Sequence, residues 1–265
     1  MFLAERHSLQ VIVGALQPDS PAQRPPRGFL SVGDPIYNVA DPRWKPSFLT
    51  RLRGGAGNQL NRLPGSRREV ESSAAAWGRG PATRVLEGAE ANRERFLESL
   101  SPAPEVIHLA THALTPASGG EAYLVFSLGA NGQPEMLSTS AVQMLQVPGS
   151  VVVMTGCTTA PSDVRAGLGL AGLVRAWAVA GASAVVATEW AVRDDAGSSL
   201  LSSFYRHLRE VPGNVAEALR QAQVEMIHSG THSDTPQAAP ASWAAYQAFG
   251  SHLVGTNLKS GSNTQ

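Results

Sequence analysis

Two strand-like runs of the chain end in residues that can do chemistry. The first, Val106-Ile107-His108-Leu109-Ala110-Thr111-His112-Ala113, leads into a histidine, His112, and the second, Val151-Val152-Val153-Met154-Thr155-Gly156-Cys157-Thr158, leads into the only cysteine, Cys157. Short apolar, β-branched runs are typical of strands buried on both faces of a parallel sheet. Because the carboxyl ends of parallel strands meet at one crevice, we expect His112 and Cys157 to lie close together.

A thiol beside an imidazole suggests a nucleophile and its base. A free cysteine has a pKa of about 8.5 and is mostly protonated at neutral pH, so a neighbouring imidazole must take its proton. His112 precedes Cys157 by 45 residues, close to the spacing of roughly 50 in caspases. The alternative for Cys157 is a small buried hydrophobe, but its place in a turn after Gly156 favours the nucleophile. His108 lies inside the strand and is interpreted as structural.

The order of the apolar runs predicts an α/β/α sandwich with a mostly parallel central sheet, because strand, helix and strand alternate at crossover spacing. The predicted strands are Val11–Leu16, Gly28–Val32, Thr83–Leu86, Val106–Ala110, Ala122–Leu128, Ser150–Met154 and Ser183–Thr188. The predicted helices are Ser66–Trp77, Asn92–Leu100, Thr139–Leu145, Leu168–Val179, Asp195–Glu210 and Asn214–His228. In the first helix, Ser66 is interpreted as the cap, with Glu69 three residues on as its partner.

The composition predicts one domain over residues 1–255 that buries a sizeable core, since 43% of the 265 residues are hydrophobic. Residues 34–65 carry Pro, Gly and Arg without a sustained period, which predicts a basic surface excursion. Residues 256–265 are polar and small, which predicts a disordered tail. A last short hydrophobic piece, Trp243–Phe249, precedes that tail.

Charge and cysteine content exclude several classes of protein. A formal net charge of +0 gives no general attraction to nucleic acid or to an anionic membrane. A single cysteine excludes an intramolecular disulfide framework and Cys-rich zinc sites, and the N-terminus lacks the layout of a signal peptide. No run reaches the roughly 20 apolar residues of a membrane helix. We therefore expect a cytoplasmic protein that uses no metal or other cofactor.

A rival motif would indicate a dinucleotide site. Gly167-Leu168-Gly169-Leu170-Ala171-Gly172 fits G-x-G-x-x-G, and Glu189 follows about 20 residues later. Twelve residues separate Met154 from Gly167, however, whereas the fingerprint needs its glycines directly after the strand. Close packing of a helix is the favoured interpretation of these glycines.

Two further groups of polar residues are weaker candidates. His228 and His232 with Glu225 superficially resemble metal ligands, but they straddle a helix end, and a solvated turn is favoured. Asp194 and Asp195 follow a predicted strand in the region of the crevice. They either cap the next helix or line a pocket for a basic substrate side chain.

An ordered series of motifs resembles the CHAT domain, a bacterial relative of caspases and separases. The motifs are Gly33-Asp34-Pro35, Ile107–His112, Ser127-Leu128, Val152–Cys157, Gly169–Ala182, Glu189–Asp194, Phe204-Tyr205, Ala218–Gln223 and Trp243–Tyr246. The likeness covers almost the whole chain. Because Met1 falls inside the usual domain, three interpretations are open: a fold truncated at its N-terminus, a start placed too late, or a second chain that supplies the leading elements.

The resemblance implies a cysteine endopeptidase that cleaves a protein substrate through an acyl-enzyme. It implies His112 as base, Cys157 as nucleophile, and the backbone N–H groups of Ala113 and Cys157 as oxyanion donors. By similarity to separase-like relatives, Asp194 is a candidate for the substrate pocket. Many CHAT domains follow helical repeats in the same chain, and no repeat of 20 to 50 residues is visible in this sequence. We therefore expect a separate regulatory protein, such as a helical-repeat protein.

Two other functions are weighed against the peptidase. A catalytically inactive CHAT-type protein-interaction module is the first alternative, and the presence of both dyad residues argues against it. A dinucleotide-binding α/β protein is the second, and the displaced glycine motif argues against that.

Overall fold

A computed structural model describes residues 2–12, 27–45, 60–116, 120–156, 166–229 and 239–250. Cys157, His232 and the predicted tail at 256–265 lie outside these ranges, as does most of the predicted strand Val11–Leu16. In the described ranges no helix is long and apolar enough to cross a bilayer.

The described chain contains ten strands and seven α-helices, preceded by a short 3-10 turn at Leu3–Glu5. The strands are β1 (Val11–Ile12), β2 (Phe29–Pro35), β3 (Thr83–Gly88), β4 (Val106–Ala110), β5 (Ala113–Leu114), β6 (Tyr123–Leu128), β7 (Pro134–Ser138), β8 (Val151–Thr155), β9 (Ala184–Thr188) and β10 (Tyr246–Gly250). The helices are α1 (Pro64–Trp77), α2 (Arg93–Glu98), α3 (Thr139–Gln143), α4 (Ala166–Val179), α5 (Asp194–Glu210), α6 (Val215–Ser229) and α7 (Pro240–Trp243).

Seven of the strands form the central sheet, in the order β1-β10-β9-β8-β4-β2-β3. The five strands β9, β8, β4, β2 and β3 run parallel to one another, and β10 runs antiparallel to β9. The predicted α/β/α sandwich with a mostly parallel central sheet is confirmed.

The sheet is covered on both faces because successive residues of its central strands point in opposite directions. In β8, Val151 and Val153 belong to a core under α1, α5 and α6, where Phe29, Phe204 and Tyr205 are fully buried. Val152 and Met154 belong to a second core under α4, around Trp177. Burial on both faces explains why these strands are continuous apolar runs.

The predicted strand Ala122–Leu128 is real but does not belong to the central sheet. Residues Tyr123–Leu128 form the middle of a separate antiparallel sheet, in the order β5-β6-β7. Its apolar side chains are buried against the second core, among them Leu124 and Phe126. Burial was inferred correctly from the apolar run, but the run carries no signal for the sheet in which it pairs.

The prediction of a cap at Ser66 was wrong. The first helix begins two residues earlier, at Pro64, with Leu63 at the N-cap position. The Ser66 hydroxyl instead accepts a hydrogen bond from the Asp34 N–H (2.8 Å) and donates to the Leu63 carbonyl. The side chain of Glu69, the expected capping partner, points toward β4 and β8.

The segment 34–65 is not mere surface decoration at its described ends. Asp34, Ile36 and Tyr37 are buried to 2% exposure or less, and residues 60–63 return to the same region. These two ends pack beside the carboxyl ends of β2 and β4. The basic residues there serve an ion-pair network, which the following subsection describes.

Candidate active site

The register of two central strands places the residues that precede the predicted dyad side by side. β4 and β8 are adjacent and parallel, and Ala110 is paired with Thr155. His112 and Cys157 therefore each follow a paired position by two residues. Cys157 itself lies outside the described residues, but its neighbour Gly156 lies beside Thr111, where an added Cβ would be 3.3 Å from the Thr111 carbonyl oxygen.

Gly156 has a conformation that favours glycine. Its φ is +78°, a region that residues with a Cβ rarely adopt. Gly156 follows β8 directly and lies close to the backbone of Thr111, the residue before His112. The conformation and the close approach together explain a glycine at this position.

His112 is buried and packs against Tyr37, which follows the carboxyl end of β2. Its backbone N–H donates to the Tyr37 hydroxyl at 3.1 Å, and the Tyr37 ring lies 4.6 Å from the imidazole, centroid to centroid. Burial holds the pKa of the Tyr37 hydroxyl well above its usual value, so this group stays protonated. The ring and the backbone of His112 are thus fixed by one fully buried side chain.

The orientation of His112 determines which ring nitrogen can act as a base. Nε2 lies 2.7 Å from the backbone carbonyl oxygen of Asn61. A carbonyl can only accept a hydrogen bond, so Nε2 carries the proton and the Nδ1 of the neutral ring carries the lone pair. Nδ1 is buried and has no hydrogen-bond partner in the described part of the chain.

The pKa of His112 is lowered from its usual value. Burial is the main cause, because it disfavours the charged imidazolium, and the hydrogen bond to Asn61 opposes it in part. The ring is therefore neutral at neutral pH. A neutral imidazole with a free Nδ1 lone pair is suited to take a proton from a thiol.

Arg62, the residue after Asn61, belongs to an ion-pair network that sequence reasoning missed. Arg62 donates to both carboxylate oxygens of Asp34, at 2.8 and 2.7 Å. Arg43 pairs with the same carboxylate and with Asp41. The Asp34 side chain is 1% exposed, so its charge requires these partners. Gly33-Asp34-Pro35 was recognised as a family motif, but no pattern indicated the arginines with which it pairs.

The backbone N–H of Ala113, one of the predicted oxyanion donors, is not used by the small sheet. Val125 N–H donates to the His112 carbonyl at 2.9 Å, and Ala113 lies opposite Leu124. Bonded peptide groups alternate along an antiparallel ladder, so the Ala113 N–H points away from β6. The other predicted donor, the Cys157 N–H, lies outside the described residues.

A cavity of about 230 Å³ opens beside Gly156 at the carboxyl ends of β4, β8 and β9. Its lining residues come from α1 and α5, from the segments that precede these helices, from the strand ends and from β10: Leu63, Ser66, Glu69, Ala110, Thr155, Gly156, Thr188, Ala191, Val192, Arg193, Asp194, Gly197 and Tyr246. Asp194, the predicted pocket residue, is thus in the wall. Its carboxylate lies against Gly65 so closely that a methyl group at position 65 would overlap it.

His108 has a structural environment, as expected for a histidine inside a strand. It is fully buried, with its ring beside those of Phe29 and Tyr205. Its Nε2 lies 2.9 Å from Oε1 of Glu69, which also accepts a hydrogen bond from the Thr155 hydroxyl. The histidine therefore connects the core to the cavity through Glu69.

The remaining candidates lie away from this site or in packing positions. Gly169 of α4 faces Thr115 so closely that a side chain there would overlap the threonine hydroxyl. This is the close packing that was favoured over a nucleotide site. His228 lies near Glu5 rather than Glu225, at 3.4 Å. Among the described residues, no group of three or more His, Cys, Asp or Glu side chains is arranged to hold a metal ion.

Comparison with known proteins gives one family and several solved structures. The family described as the CHAT domain matches residues 1–251. The Arg-specific cysteine proteinase gingipain R is 10% identical, with a TM-score of 0.46, over 84% of this chain and 46% of its own. The complex of the pro- and mature domains of Porphyromonas gingivalis RgpB is 10% identical, with a TM-score of 0.45, over 84% and 47%. The chain spans less than half of either of these proteins, and no curated protein matches it.

Proposed function

The chain belongs to the CHAT domain family, and from this premise we propose that it is a cysteine endopeptidase in which Cys157 is the nucleophile and His112 the base. The observation that carries the proposal is the register of β4 and β8, with Ala110 opposite Thr155. This register supports a dyad because β4 and β8 are adjacent, and the paired residues Ala110 and Thr155 each lie two residues before a member of the proposed dyad.

The state of His112 supports a role as base. Its pKa is lowered by burial, Nε2 is engaged by Asn61, and Nδ1 has no other partner within the described ranges. In the proposed reaction Nδ1 takes the thiol proton, and the thiolate forms a bond to the carbonyl carbon of the scissile peptide. The C–N bond then breaks, the amine leaves with the proton from the imidazolium, and a thioester remains.

The second half of the proposed reaction releases the acyl group. Nδ1 of His112 takes a proton from a water molecule, whose oxygen attacks the thioester carbonyl. The C–S bond breaks, and the sulfur recovers the proton. In both halves the carbonyl oxygen becomes negative, and the Ala113 and Cys157 backbone N–H groups are the proposed donors to it.

The substrate side of the proposal concerns the cavity beside Gly156. We assign the cavity to the side chain of the residue whose carbonyl is attacked, because the cavity lies beside Gly156, which precedes the proposed nucleophile. Asp194 is a proposed member of this pocket. A protein substrate and a separate regulatory protein follow from the family resemblance and belong to the proposal.

The test compares cells that contain the wild-type chain with cells that contain Cys157→Ala, together with the proteins encoded alongside it. We expect new protein N-termini that depend on Cys157 and on His112. The thiol alone is tested in the purified chain: iodoacetamide should alkylate Cys157 well below pH 8.5, and His112→Gln should abolish this low-pH reaction. Identical N-termini in both cell types, with slow alkylation that His112→Gln leaves unchanged, would falsify the proposal and favour an inactive interaction module.

A further inference from the structure

The floor of the cavity beside Gly156 carries a carboxylate that forms no ion pair with a lysine or arginine in the described residues. Glu69 enters from α1, and its side chain is 12% exposed. Oε1 is occupied by the His108 imidazole and the Thr155 hydroxyl. Within the described ranges no hydrogen bond reaches Oε2, which lies at the end of the cavity that Gly197 borders.

Gly197 leaves the space in front of this carboxylate open. A Cβ at position 197 would lie 3.6 Å from Glu69 Oε2 and 3.0 Å from the Tyr246 hydroxyl. A side chain on this turn of α5 would therefore occupy the floor of the cavity. Because residue 197 is glycine, no side chain of this helical turn lies in front of the two polar groups.

The cations near the cavity are engaged elsewhere. Arg193, the one Lys or Arg in the described lining, is paired with Asp195 at 3.0 Å on the exposed side. A mostly buried carboxylate that no lysine or arginine reaches is costly. The Tyr246 hydroxyl adds a neutral group, because burial and then the Glu69 charge hold its pKa well above the usual value. The lining thus combines a negative floor with apolar walls at Ala110 and Val192.

Asp194 differs from Glu69 in its surroundings. Its carboxylate lies against Gly65 in the first turn of α1, where the helix N-terminus favours a negative charge. Glu69, by contrast, is held by two donors that act on only one of its oxygens. The geometry therefore separates a carboxylate at the rim, packed on a helix, from one aimed into the cavity.

We infer that Glu69 is the specificity-determining group of this pocket and that the pocket takes the lysine or arginine side chain of the residue whose carbonyl Cys157 attacks. This inference rests on the proposed peptidase function. A basic side chain fits both parts of the lining, because its aliphatic stem packs on apolar walls while its charged end reaches the carboxylate. His108 and Thr155 act as positioning residues for Glu69.

The test uses peptidyl chloromethyl ketones that differ only in the side chain next to the reactive carbonyl: arginine, lysine, norleucine or aspartate. These probes alkylate a nucleophilic cysteine, and mass spectrometry of the intact full-length chain gives the rate of labelling at Cys157. We expect the arginine or lysine probe to react at least roughly tenfold faster than the norleucine probe, the amount associated with a charged hydrogen bond. Glu69→Gln should remove that preference, so that the arginine, lysine and norleucine probes label this variant at equal rates.

Two matched variants separate this role from a general structural one. Glu71→Gln removes a carboxylate two residues away on α1, which pairs with Arg67 on the surface, and should leave all rates unchanged. Gly197→Ala keeps the Glu69 charge but fills the floor, so it should slow the probes with long side chains and spare the aspartate probe. If Glu69→Gln does not fold, Gly197→Ala still tests whether long side chains enter this pocket.

Three results would overturn the inference. They are equal rates of the arginine, lysine and norleucine probes in the wild type, an equal loss with every probe in Glu69→Gln, and unchanged rates in Gly197→Ala. Each of them leaves the peptidase proposal intact, because labelling still depends on His112. A different result would contradict the peptidase proposal: every probe would label Cys157 of the wild type no faster than Cys157 of the His112→Gln variant.

Discussion

The backbone carbonyl of Asn61 accepts a hydrogen bond from Nε2 of His112 at 2.7 Å. This contact joins the segment before α1 to the end of β4, across 51 residues of sequence. It fixes the imidazole so that Nδ1 carries the lone pair. The direction in which His112 can accept a proton is therefore decided by a main-chain group.

The titration of His112 gives the first prediction. Burial lowers its pKa, so the neutral ring should persist below the usual midpoint of about 6.5. NMR titration of the full-length Cys157→Ala variant measures this without coupling to the thiol. We expect a midpoint below 6.5 and the Nε2–H tautomer in the nitrogen shifts. A midpoint above 6.5 would contradict the burial argument.

The second prediction concerns Asp34→Asn. The substitution removes the charge that holds Arg62 and Arg43, and asparagine tolerates the left-handed φ of +46° found at this position. We expect a loss of about 2 kcal/mol in the free energy of unfolding, since both arginines are partly solvated. Alkylation of Cys157 at low pH should also slow, because Asn61 is no longer held.

Asp41→Asn is the control for this experiment. Asp41 pairs with Arg43 but makes no ion pair with Arg62. Urea unfolding and the pH dependence of alkylation are measured for both variants. An equal loss of reactivity in Asp41→Asn would show that the network acts through general stability rather than through the Asn61 carbonyl.

Tyr37→Phe tests the contact beneath the histidine. The hydroxyl accepts the backbone N–H of His112, and its removal leaves that buried donor unpaired at a cost of about 1–3 kcal/mol. Tyr205→Phe is a matched control, since the buried Tyr205 hydroxyl has no hydrogen-bond partner among the described residues. We expect only Tyr37→Phe to lower the midpoint of urea unfolding, and a similar drop in both would contradict the assignment.

The close approach of Gly65 and Asp194 gives a prediction of non-additivity. Gly65→Ala alone should destabilise the protein by about 1–3 kcal/mol, because the methyl group overlaps the Asp194 carboxylate. In Asp194→Ala the space is vacant, so adding Gly65→Ala should cost much less. A double-mutant cycle by urea unfolding measures the difference. Additive losses would contradict the contact.

The strands that carry the proposed dyad could be predicted because burial on both faces leaves a strong compositional signal. Val106–Ala110 and Val151–Thr155 are mostly apolar runs, and both are central strands. Tyr123–Leu128 has the same signal but pairs in the small sheet. Periodicity reports burial, and it does not report which partner completes the hydrogen bonds.

The supports of the site could not be predicted for a different reason. The Asn61 carbonyl belongs to the backbone, so no residue type marks it. Residues 34–65 were interpreted as solvated because they are basic and aperiodic, yet Arg43 and Arg62 neutralise a buried aspartate from another part of that segment. Glu69 was interpreted as a capping residue because its spacing from Ser66 fits that pattern equally well.

By itself, the sequence determined the class of the fold, the order of its central elements and the two strands after which the imidazole and the thiol follow in the chain. These properties depend on local composition and on chain order, which are written in the sequence directly. Only the tertiary structure decided the register of β4 against β8, the proton position on His112 and the carboxylate that faces the cavity. Each of these depends on contacts between residues far apart in the chain, whose energies no local pattern contains.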